Sequence, residues 1–230
     1  MATFATINTL ADRGLVAGLV VARGVAVGPT PAAHVAELEA LIDAVPAEGE
    51  LAGAVAKDAV RALLRAGGYK PSGRGKPASE YLAQAARERR FPRINNLVDA
   101  NNLLSLATGL PISLLDLDTV GPRGVLRFGA SGETYVFNAG GQTIDVAGLI
   151  VFCRGEGDDP AGSVALGNPV KDSMAGKLKD QTRNVVGCIY APAQAVPRAV
   201  LEQHLLRFAR LLAACAAAEG ASVETETLVV

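Results

Sequence analysis

The spacing of hydrophobic residues along the chain changes at about residue 111. Before that point, apolar positions recur every three or four residues, which predicts amphipathic helices. The predicted helices cover residues 32–45, 51–66, 78–90 and 94–109. Ahead of them, a β-branched stretch at 15–27 is bounded by glycines and predicts a hairpin or two core strands.

After residue 111 the apolar runs are short and are separated by Gly, Asp, Asn and Pro, which predicts strands joined by turns. The predicted strands lie at 112–117, 125–128, 134–137, 144–146, 149–153, 164–166 and 185–189. A long polar segment at 167–183 interrupts them, and long irregular segments in compact domains are often functional. A helix at 197–220 and a strand at 223–230 complete an α+β pattern.

Composition adds broad limits to this pattern. The chain has 230 residues, half of them hydrophobic, which is enough for one large domain with a sizeable core. The best membrane-span candidate, 15–27, is interrupted by Arg23 and falls short of the ~18 apolar residues that a span needs. Residues 1–4 lack the features of a signal peptide, and the three cysteines are widely spaced. We therefore expect a cytoplasmic protein without a disulfide framework.

The charge of the chain is unevenly distributed although its net value is only −1. Residues 70–93 carry a net charge of +5, residues 94–170 carry −5, and residues 171–183 carry +2. This asymmetry fits a phosphate-facing stripe around a neutral or acidic pocket. The alternative is that these Arg and Lys side chains cover solvated helix faces, as most surface cations do.

Most motifs of enzyme chemistry are missing from the sequence. It contains no Gly-x-Ser-x-Gly, no His-Glu-x-x-His and no Cys-x-x-Cys, and neither histidine adjoins a candidate nucleophile. We therefore expect no metal and no cofactor. The paired carboxylates Asp116 with Asp118 and Asp158 with Asp159 lie in turns, where Asp commonly bonds the local backbone.

The glycine-rich stretch 70–76 is a predicted loop that carries Arg74 and Lys76. Glycines allow a backbone to approach a ligand closely, and these two cations suit phosphate. The spacing is not that of a Walker A loop, and a plain surface connection is the alternative.

The predicted helix at 94–109 is unusually rich in amides for an apolar segment. It contains four asparagines and Asp99, which are weak helix formers. An amide inside a core must find a hydrogen-bond partner. We therefore expect these residues to serve as caps, as a buried network or as part of a ligand site.

This segment also resembles a known family. Val98-Asp99-Ala100-Asn101-Asn102 and then Gly109-Leu110-Pro111-Ile112-Ser113-Leu114-Leu115-Asp116 resemble the signature of the tRNA-binding (B3/B4) module of the phenylalanyl-tRNA synthetase β-subunit. The family pattern is Val-Asp-x-x-Asn followed by Gly-x-Pro-x-His-x-x-Asp. The resemblance runs from Tyr69 to Pro192 and includes Lys70-Pro71-Ser72-Gly73 and Gly132-Glu133-Thr134.

The resemblance implies an α+β fold in three layers, with an unusual β-sandwich flanked by helices. It assigns residues 69–230 to the B3/B4-like domain and leaves 1–68 as strands and helices that belong to or extend it. In the synthetase, the module hydrolyses tRNA-Phe wrongly charged with tyrosine. That reaction needs no protein nucleophile, because the pocket positions the substrate and a water.

The resemblance also implies site residues. Asn102 matches the pocket asparagine, Asn101 replaces a threonine, and Ser113 replaces the motif histidine; these three are the catalytic candidates. The tyrosine-reading glutamate of the synthetase should align near 167–182, where only Asp172 and Asp180 are acidic. The predicted substrate-binding set is Asn101, Asn102, Ser113, Gly167, Asn168, Asp172 and Thr182.

The implied partner is tRNA, with salt-sensitive contacts from the two basic stretches. The predicted RNA-binding residues are Arg74, Lys76, Arg90, Lys171, Lys177 and Arg183. Two functions remain open at this stage. The first is a free-standing hydrolase that deacylates mischarged aminoacyl-tRNA, and the second is a binding module for RNA or a small molecule that keeps the fold without the chemistry.

Overall fold

The structure is a computed structural model that describes residues 3–156, 159–215 and 222–230. Its helices are α1 (Ala32–Ala44), α2 (Lys57–Arg65), α3 (Ala78–Arg87), α4 (Asn96–Thr108), α5 (Leu117–Val120) and α6 (Arg198–Ala213). Its strands are β1 (Ala5–Asn8), β2 (Leu15–Arg23), β3 (Ile112–Asp116), β4 (Arg123–Phe128), β5 (Thr134–Val136), β6 (Thr143–Asp145), β7 (Ile150–Arg154), β8 (Val164–Gly167), β9 (Asn184–Pro192) and β10 (Glu224–Val229).

The larger of two four-stranded sheets has the order β10-β2-β9-β3, with every neighbouring pair antiparallel. The long strands β2 and β9 lie at its centre and pair from Leu15 opposite Pro192 to Arg23 opposite Asn184. Both strands are almost continuously apolar and buried, as expected for strands that are covered on both faces.

The second sheet has the order β1-β4-β7-β8, and a separate hairpin pairs β5 with β6. Strands β1 and β4 run parallel, whereas the other pairs are antiparallel. Strand β8 forms one edge of the second sheet, and the register between β7 and β8 shifts at Phe152 and Cys153.

Alternate residues of β2 divide the core into layers. Leu15, Leu19 and Val21 pack with Phe152 of β7 in the cluster between the two sheets. Val20, on the other face, packs in a cluster that includes side chains of α1, α4 and α6. The resulting helix, sheet and sheet layers confirm the predicted α+β fold, with a β-sandwich flanked by helices.

Glycine allows helix α6 to approach the larger sheet closely. A Cβ built on Gly187 of β9 would lie 2.4 Å from the Phe208 ring of α6, which is closer than real Cβ contacts. On the neighbouring strand, a Cβ on Gly18 would lie 3.0 Å from Leu201. The side chains of α6 therefore fill the space that residues with side chains would occupy on β2 and β9.

Helix α4 begins and ends as its sequence predicts. The Asn95 side chain caps it by accepting from the Val98 N–H at 2.9 Å, and Gly109 ends it with a φ of 72°. The described elements differ from the prediction mainly earlier in the chain. Helix α2 begins at Lys57 rather than 51, and 25–27 forms no strand beyond an isolated bridge at Val25.

The first 68 residues contribute directly to the same sheets as the rest of the chain. Strand β2 lies between β9 and β10, both of which follow residue 69. We therefore propose that the predicted segments 1–68 and 69–230 form one domain. Two predictions, an acidic pair that includes Asp158 and a helix end at Gly220, lie outside the described residues.

Among the residues that the structure describes, no helix is long and apolar enough to cross a membrane. The three cysteines, Cys153, Cys188 and Cys215, are buried and free.

Candidate substrate and nucleic-acid site

The polar residues in the first turn of α4 have structural partners. Asn96 accepts from the Gly28 N–H at 3.0 Å and donates to the Ala26 carbonyl at 2.8 Å. Asp99 accepts from the Ile94 N–H at 2.9 Å and from the Thr30 hydroxyl at 2.7 Å. These side chains therefore attach the helix to segment 26–30, and their hydrogen bonds are made within the protein.

Asn101, one helical turn further on, is bonded much less well. Its Nδ2 lies 3.5 Å from both the Asn102 Oδ1 and the Ile112 carbonyl, at the outer limit of a hydrogen bond. Its Oδ1 is buried and has no hydrogen-bond partner. A buried amide oxygen without a donor costs free energy, so this position is suited to accept a hydrogen bond from a ligand or a water.

Ser113, on β3 and next to Ile112, lies at the centre of a group of hydrogen-bonded polar residues that we call the Ser113 network: Ser113, Tyr135, Asn168, Asp172 and Tyr190. The Ser113 Oγ lies 2.6 Å from the Asp172 Oδ1 and 2.8 Å from the Tyr190 hydroxyl. The Asn168 carbonyl oxygen is 3.3 Å away. Ser113 and Tyr190 are completely buried and Asn168 is nearly so, whereas Tyr135 and Asp172 are half-buried, so solvent reaches only the edge of the network.

Asp172 connects the irregular 168–183 segment to β3. Besides Ser113, its carboxylate accepts from the Asn168 N–H at 3.2 Å and from the Leu114 N–H at 3.4 Å. Burial raises the pKa of Asp172 to about 6, although these hydrogen bonds favour the charged form. Gly167 fits against the same group, since a Cβ there would lie 2.8 Å from Asp172 and 2.9 Å from Ser113.

Asn168 extends the network to the β5–β6 hairpin. Its Nδ2 donates to the Tyr135 hydroxyl, and its Oδ1 accepts from the N–H groups of Val170 and Lys171, both at 2.7 Å. The Tyr135 hydroxyl in turn donates to the Lys171 carbonyl at 2.8 Å. The segment that follows β8 is therefore held from both sides, by β3 and by the hairpin.

Thr182 is the predicted substrate-binding residue that the structure places elsewhere. Its hydroxyl donates to the Asp116 Oδ2, while the Asp116 Oδ1 caps α5 through the N–H groups of Asp118 and Thr119. Gly167, Asn168, Asp172 and Ser113 thus come together, with Asn101 close to the neighbouring Ile112 carbonyl, whereas Thr182 belongs to a separate structural contact.

Two predicted RNA-binding cations contact Phe137, and a third acts electrostatically on one of them. We call this surface the Phe137 patch: Arg74, Phe137, Lys171 and Lys177. The Lys171 ammonium lies over the Phe137 ring at 4.3 Å from its centroid, and the Lys177 ammonium donates to the Phe137 carbonyl at 2.7 Å. Burial, with a smaller effect from the nearby Arg74 charge, lowers the pKa of Lys171.

The other three predicted cations have contacts or surroundings of their own. Exposed Arg90 forms an ion pair with Glu88, and Arg183 donates to the nearby carbonyls of Asp180 and Thr182. Lys76 lines a cleft of about 500 Å³ between the 45–57 segment and α3.

A second cleft of about 420 Å³ lies between β5 and β8, and we call it the β5–β8 cleft. Residues 133–136, 164–166 and 173–175 line it. The cleft and the Phe137 patch are close in the chain. Val136, which lines the cleft, directly precedes Phe137, and Ser173, which also lines it, follows Lys171 by two residues. Neither this cleft nor the larger one is lined by Asn101, Asn102 or Ser113.

The chemistry available at the site is that of positioning rather than of an activated nucleophile. Ser113 contacts a carboxylate and a phenol, but no imidazole lies among its hydrogen-bond partners. Within the described residues, no group of three or more His, Cys, Asp or Glu side chains is arranged to hold a metal ion.

Sequence reasoning missed the aromatic members of the site. Tyr135, Phe137 and Tyr190 lie in or directly after apolar strands, where an aromatic side chain is expected simply to pack. Tyr135 and Phe137 precede the polar segment 167–183 by about 30 residues and Tyr190 follows it, so the sequence carries no signal that brings these rings to the site.

The structure is therefore that of an α+β domain. Its polar site lies where helix α4, strand β3 and the segment after β8 come together. The model of the family described as the B3/4 domain matches residues 71–207, which is more than half of the chain. The chain therefore belongs to the B3/4 domain family, and the family predicted from its motifs is confirmed.

A solved structure similar to this chain is that of an N-terminal fragment of the phenylalanyl-tRNA synthetase β-subunit from Pyrococcus horikoshii. The two have a TM-score of 0.49 and 10% sequence identity, over 97% of this chain and 50% of that one. The chain thus spans about half the length of that fragment. No curated protein matches it significantly.

Proposed function

We propose that this protein binds the aminoacylated 3′ end of tRNA and holds its single-stranded terminus on the Phe137 patch. The observation that carries the proposal is the placement of Lys171 over the Phe137 ring and of Lys177 on the Phe137 carbonyl. Proteins that bind single-stranded RNA combine cations for the phosphates with an aromatic face for a base. Membership of the B3/4 domain family supports the same partner.

The test is a fluorescence-anisotropy titration of tRNA-Phe against the wild type and a Lys171→Ala/Lys177→Ala variant. We expect the double variant to bind at least ~10-fold more weakly. We also expect the slope of log K against log salt to fall by about 1.4, because each lost single-strand phosphate contact removes about 0.7. Arg90→Ala is the matched control, since this exposed arginine lies outside the patch. Equal binding by all three proteins would exclude the patch as the RNA site.

A second function, favoured by a different observation, is hydrolysis of a mischarged aminoacyl ester. The unpartnered Asn101 Oδ1 is a buried acceptor beside Asn102 and β3, suited to orient an amino group or an attacking water. Water adds to the ester carbonyl, the carbonyl–oxygen bond breaks, and the proton ends on the ribose hydroxyl that leaves. The free amino acid is the other product.

The complete burial of Ser113 favours the alternative, a binding module without hydrolysis, because a substrate cannot contact the Ser113 hydroxyl unless its neighbours move. A deacylation assay with Tyr-tRNA-Phe and other mischarged tRNAs separates the two. The hydrolase proposal requires turnover that falls at least ~10-fold in Asn102→Ala, with tRNA affinity retained. If no tRNA is turned over, the binding module remains. If Asn102→Ala has full activity, hydrolysis does not use this site and its assignment to Asn101 and Asn102 is overturned.

A further inference from the structure

The β5–β8 cleft lies between two strand edges that lack a neighbouring strand on the cleft side. Strand β5 pairs with β6 on one side only, and β8 is the last strand of its sheet. Two backbone bonds, from the Val146 N–H to the Glu133 carbonyl and from the Phe137 N–H to the Gln142 carbonyl, fix the β5–β6 register. Because bonding positions alternate along an antiparallel pair, the backbone groups of Thr134 and Val136 point away from β6.

Existing contacts show that these outward edges accept hydrogen bonds. The Met174 N–H donates to the Val136 carbonyl at 2.8 Å, and the Ser173 N–H donates to the Leu166 carbonyl at 2.8 Å. Residues 173–174 therefore bridge the two strands at one end of the cleft. The Thr134 N–H and C=O and the Val136 N–H remain on the cleft side, so a planar ligand with donors and acceptors along its rim can pair with them.

The cleft is also closed at its opposite end. The Arg127 guanidinium bridges the start of β5 and the residue before β8, because it bonds both Glu133 carboxylate oxygens at 2.8 Å and the Ser163 carbonyl at 2.7 Å. The open length is therefore about three residues of strand, or roughly 10 Å. This is too short for a peptide to pass through as an added strand, but a volume of about 420 Å³ is within the range of small-ligand sites.

The walls of the cleft are apolar and partly exposed. Val136, Val164 and Met174 are 40%, 39% and 36% exposed, respectively, and all three line it. A purely aliphatic ligand would leave the backbone groups of Thr134 and Val136 without partners, which is unfavourable once water is displaced. A flat group with apolar faces and a polar edge can pack against the apolar walls and also form hydrogen bonds with the strand edge.

We infer that the β5–β8 cleft binds a nucleobase, with the edge of the base on the Thr134 and Val136 backbone and its phosphate towards the Phe137 patch. This inference rests on the proposed function, which identifies the nucleic acid as tRNA. It adds the place where one base of that tRNA binds. The phosphate can reach the patch because Phe137 directly follows the cleft-lining Val136, and Lys171 lies over the Phe137 ring.

The test uses neutral nucleosides, so that it does not depend on the cationic patch. Adenosine, cytidine, guanosine and uridine are titrated into ¹⁵N-labelled protein, and the amide resonances are followed. We expect at least one nucleoside to shift the Thr134 and Val136 amides in a saturable way. Val136→Pro removes the cleft-facing N–H without removing a β5–β6 bond, and Val164→Ser weakens the apolar wall; each should lower the affinity at least ~5-fold.

The Lys171→Ala/Lys177→Ala variant is the control. It should bind nucleosides as the wild type does and lose affinity for the corresponding nucleoside monophosphates. The inference is overturned if no nucleoside shifts these amides, if free leucine or phenylalanine shifts them instead, or if both cleft variants bind normally. Patch-dependent tRNA binding without nucleoside binding overturns only this inference, whereas nucleoside binding without tRNA binding overturns the proposed function and leaves the cleft assignment standing.

Discussion

The two halves of helix α4 carry similar polar side chains that differ in how well they are hydrogen-bonded. At its start, Asn95, Asn96 and Asp99 have partners at normal hydrogen-bond distances. One turn later, Asn101 has two contacts at 3.5 Å and an oxygen without a partner. The first half therefore holds the fold together, and the second half retains unused hydrogen-bonding capacity beside β3. Substitutions in the two halves should differ sharply, and the Ser113 network is the intermediate case.

The largest loss of stability is expected from Asn96→Ala. It removes the acceptor for the Gly28 N–H and the donor for the Ala26 carbonyl, and it leaves both backbone groups without their partner. We expect the free energy of unfolding to fall by about 4 kcal/mol. Urea denaturation measures this, and Asn95→Ala, which loses one capping bond, should cost about 1 kcal/mol in comparison. A loss below that of Asn95→Ala would contradict the structural role of Asn96.

The free energy of unfolding should also depend on pH through Asp172, by an amount of similar size. Burial raises its pKa from 3.8 to about 6, so the folded protein holds this proton more tightly than the unfolded chain does. The resulting stabilisation is complete below about pH 4 and is lost as the pH rises through about 6, and it amounts to about 3 kcal/mol. Asp172→Asn should remove this decline from urea-unfolding curves recorded between pH 4 and 7. An unchanged slope would show that Asp172 is not buried in this way.

Ser113→Ala should have a smaller effect. The substitution removes one donor to the Asp172 carboxylate and one partner of the Tyr190 hydroxyl, while the two backbone donors to Asp172 remain. We expect a loss of about 2 kcal/mol at pH 7 and less at pH 4, where Asp172 is protonated. Thermal unfolding at both values checks this. Equal losses at the two values would show that Ser113 does not act through the carboxylate.

The smallest effect is expected from Asn101→Ala. Since its oxygen has no partner and its amide contacts are long, its replacement should change the free energy of unfolding by less than about 1 kcal/mol. The same urea titration that is used for Asn96→Ala provides the comparison. A loss as large as that of Asn96→Ala would remove the difference between the two halves of the helix.

Much of this fold follows from local signals in the sequence. The capping asparagine and the glycine at the other end bound α4 within two residues of the prediction, because both act on their own helix. Ser113 and Asp172 are 59 positions apart in the chain and form a hydrogen bond. Only the family resemblance, and not the spacing of the residues, indicated that they belong to one site. Local patterns say nothing about such distances, and for the same reason they did not show that Arg90 and Arg183 bond to groups close to them in the chain.

The position of β2 has a consequence for synthesis of the protein on the ribosome. Its nine residues pair with β9, which is completed only after residue 192, and with β10 beyond it. At typical translation rates the emerging chain carries this apolar strand unpaired for roughly ten to thirty seconds. Nascent-chain chaperones that cover hydrophobic segments should therefore engage the region around residues 15–23, and release it once β9 has emerged.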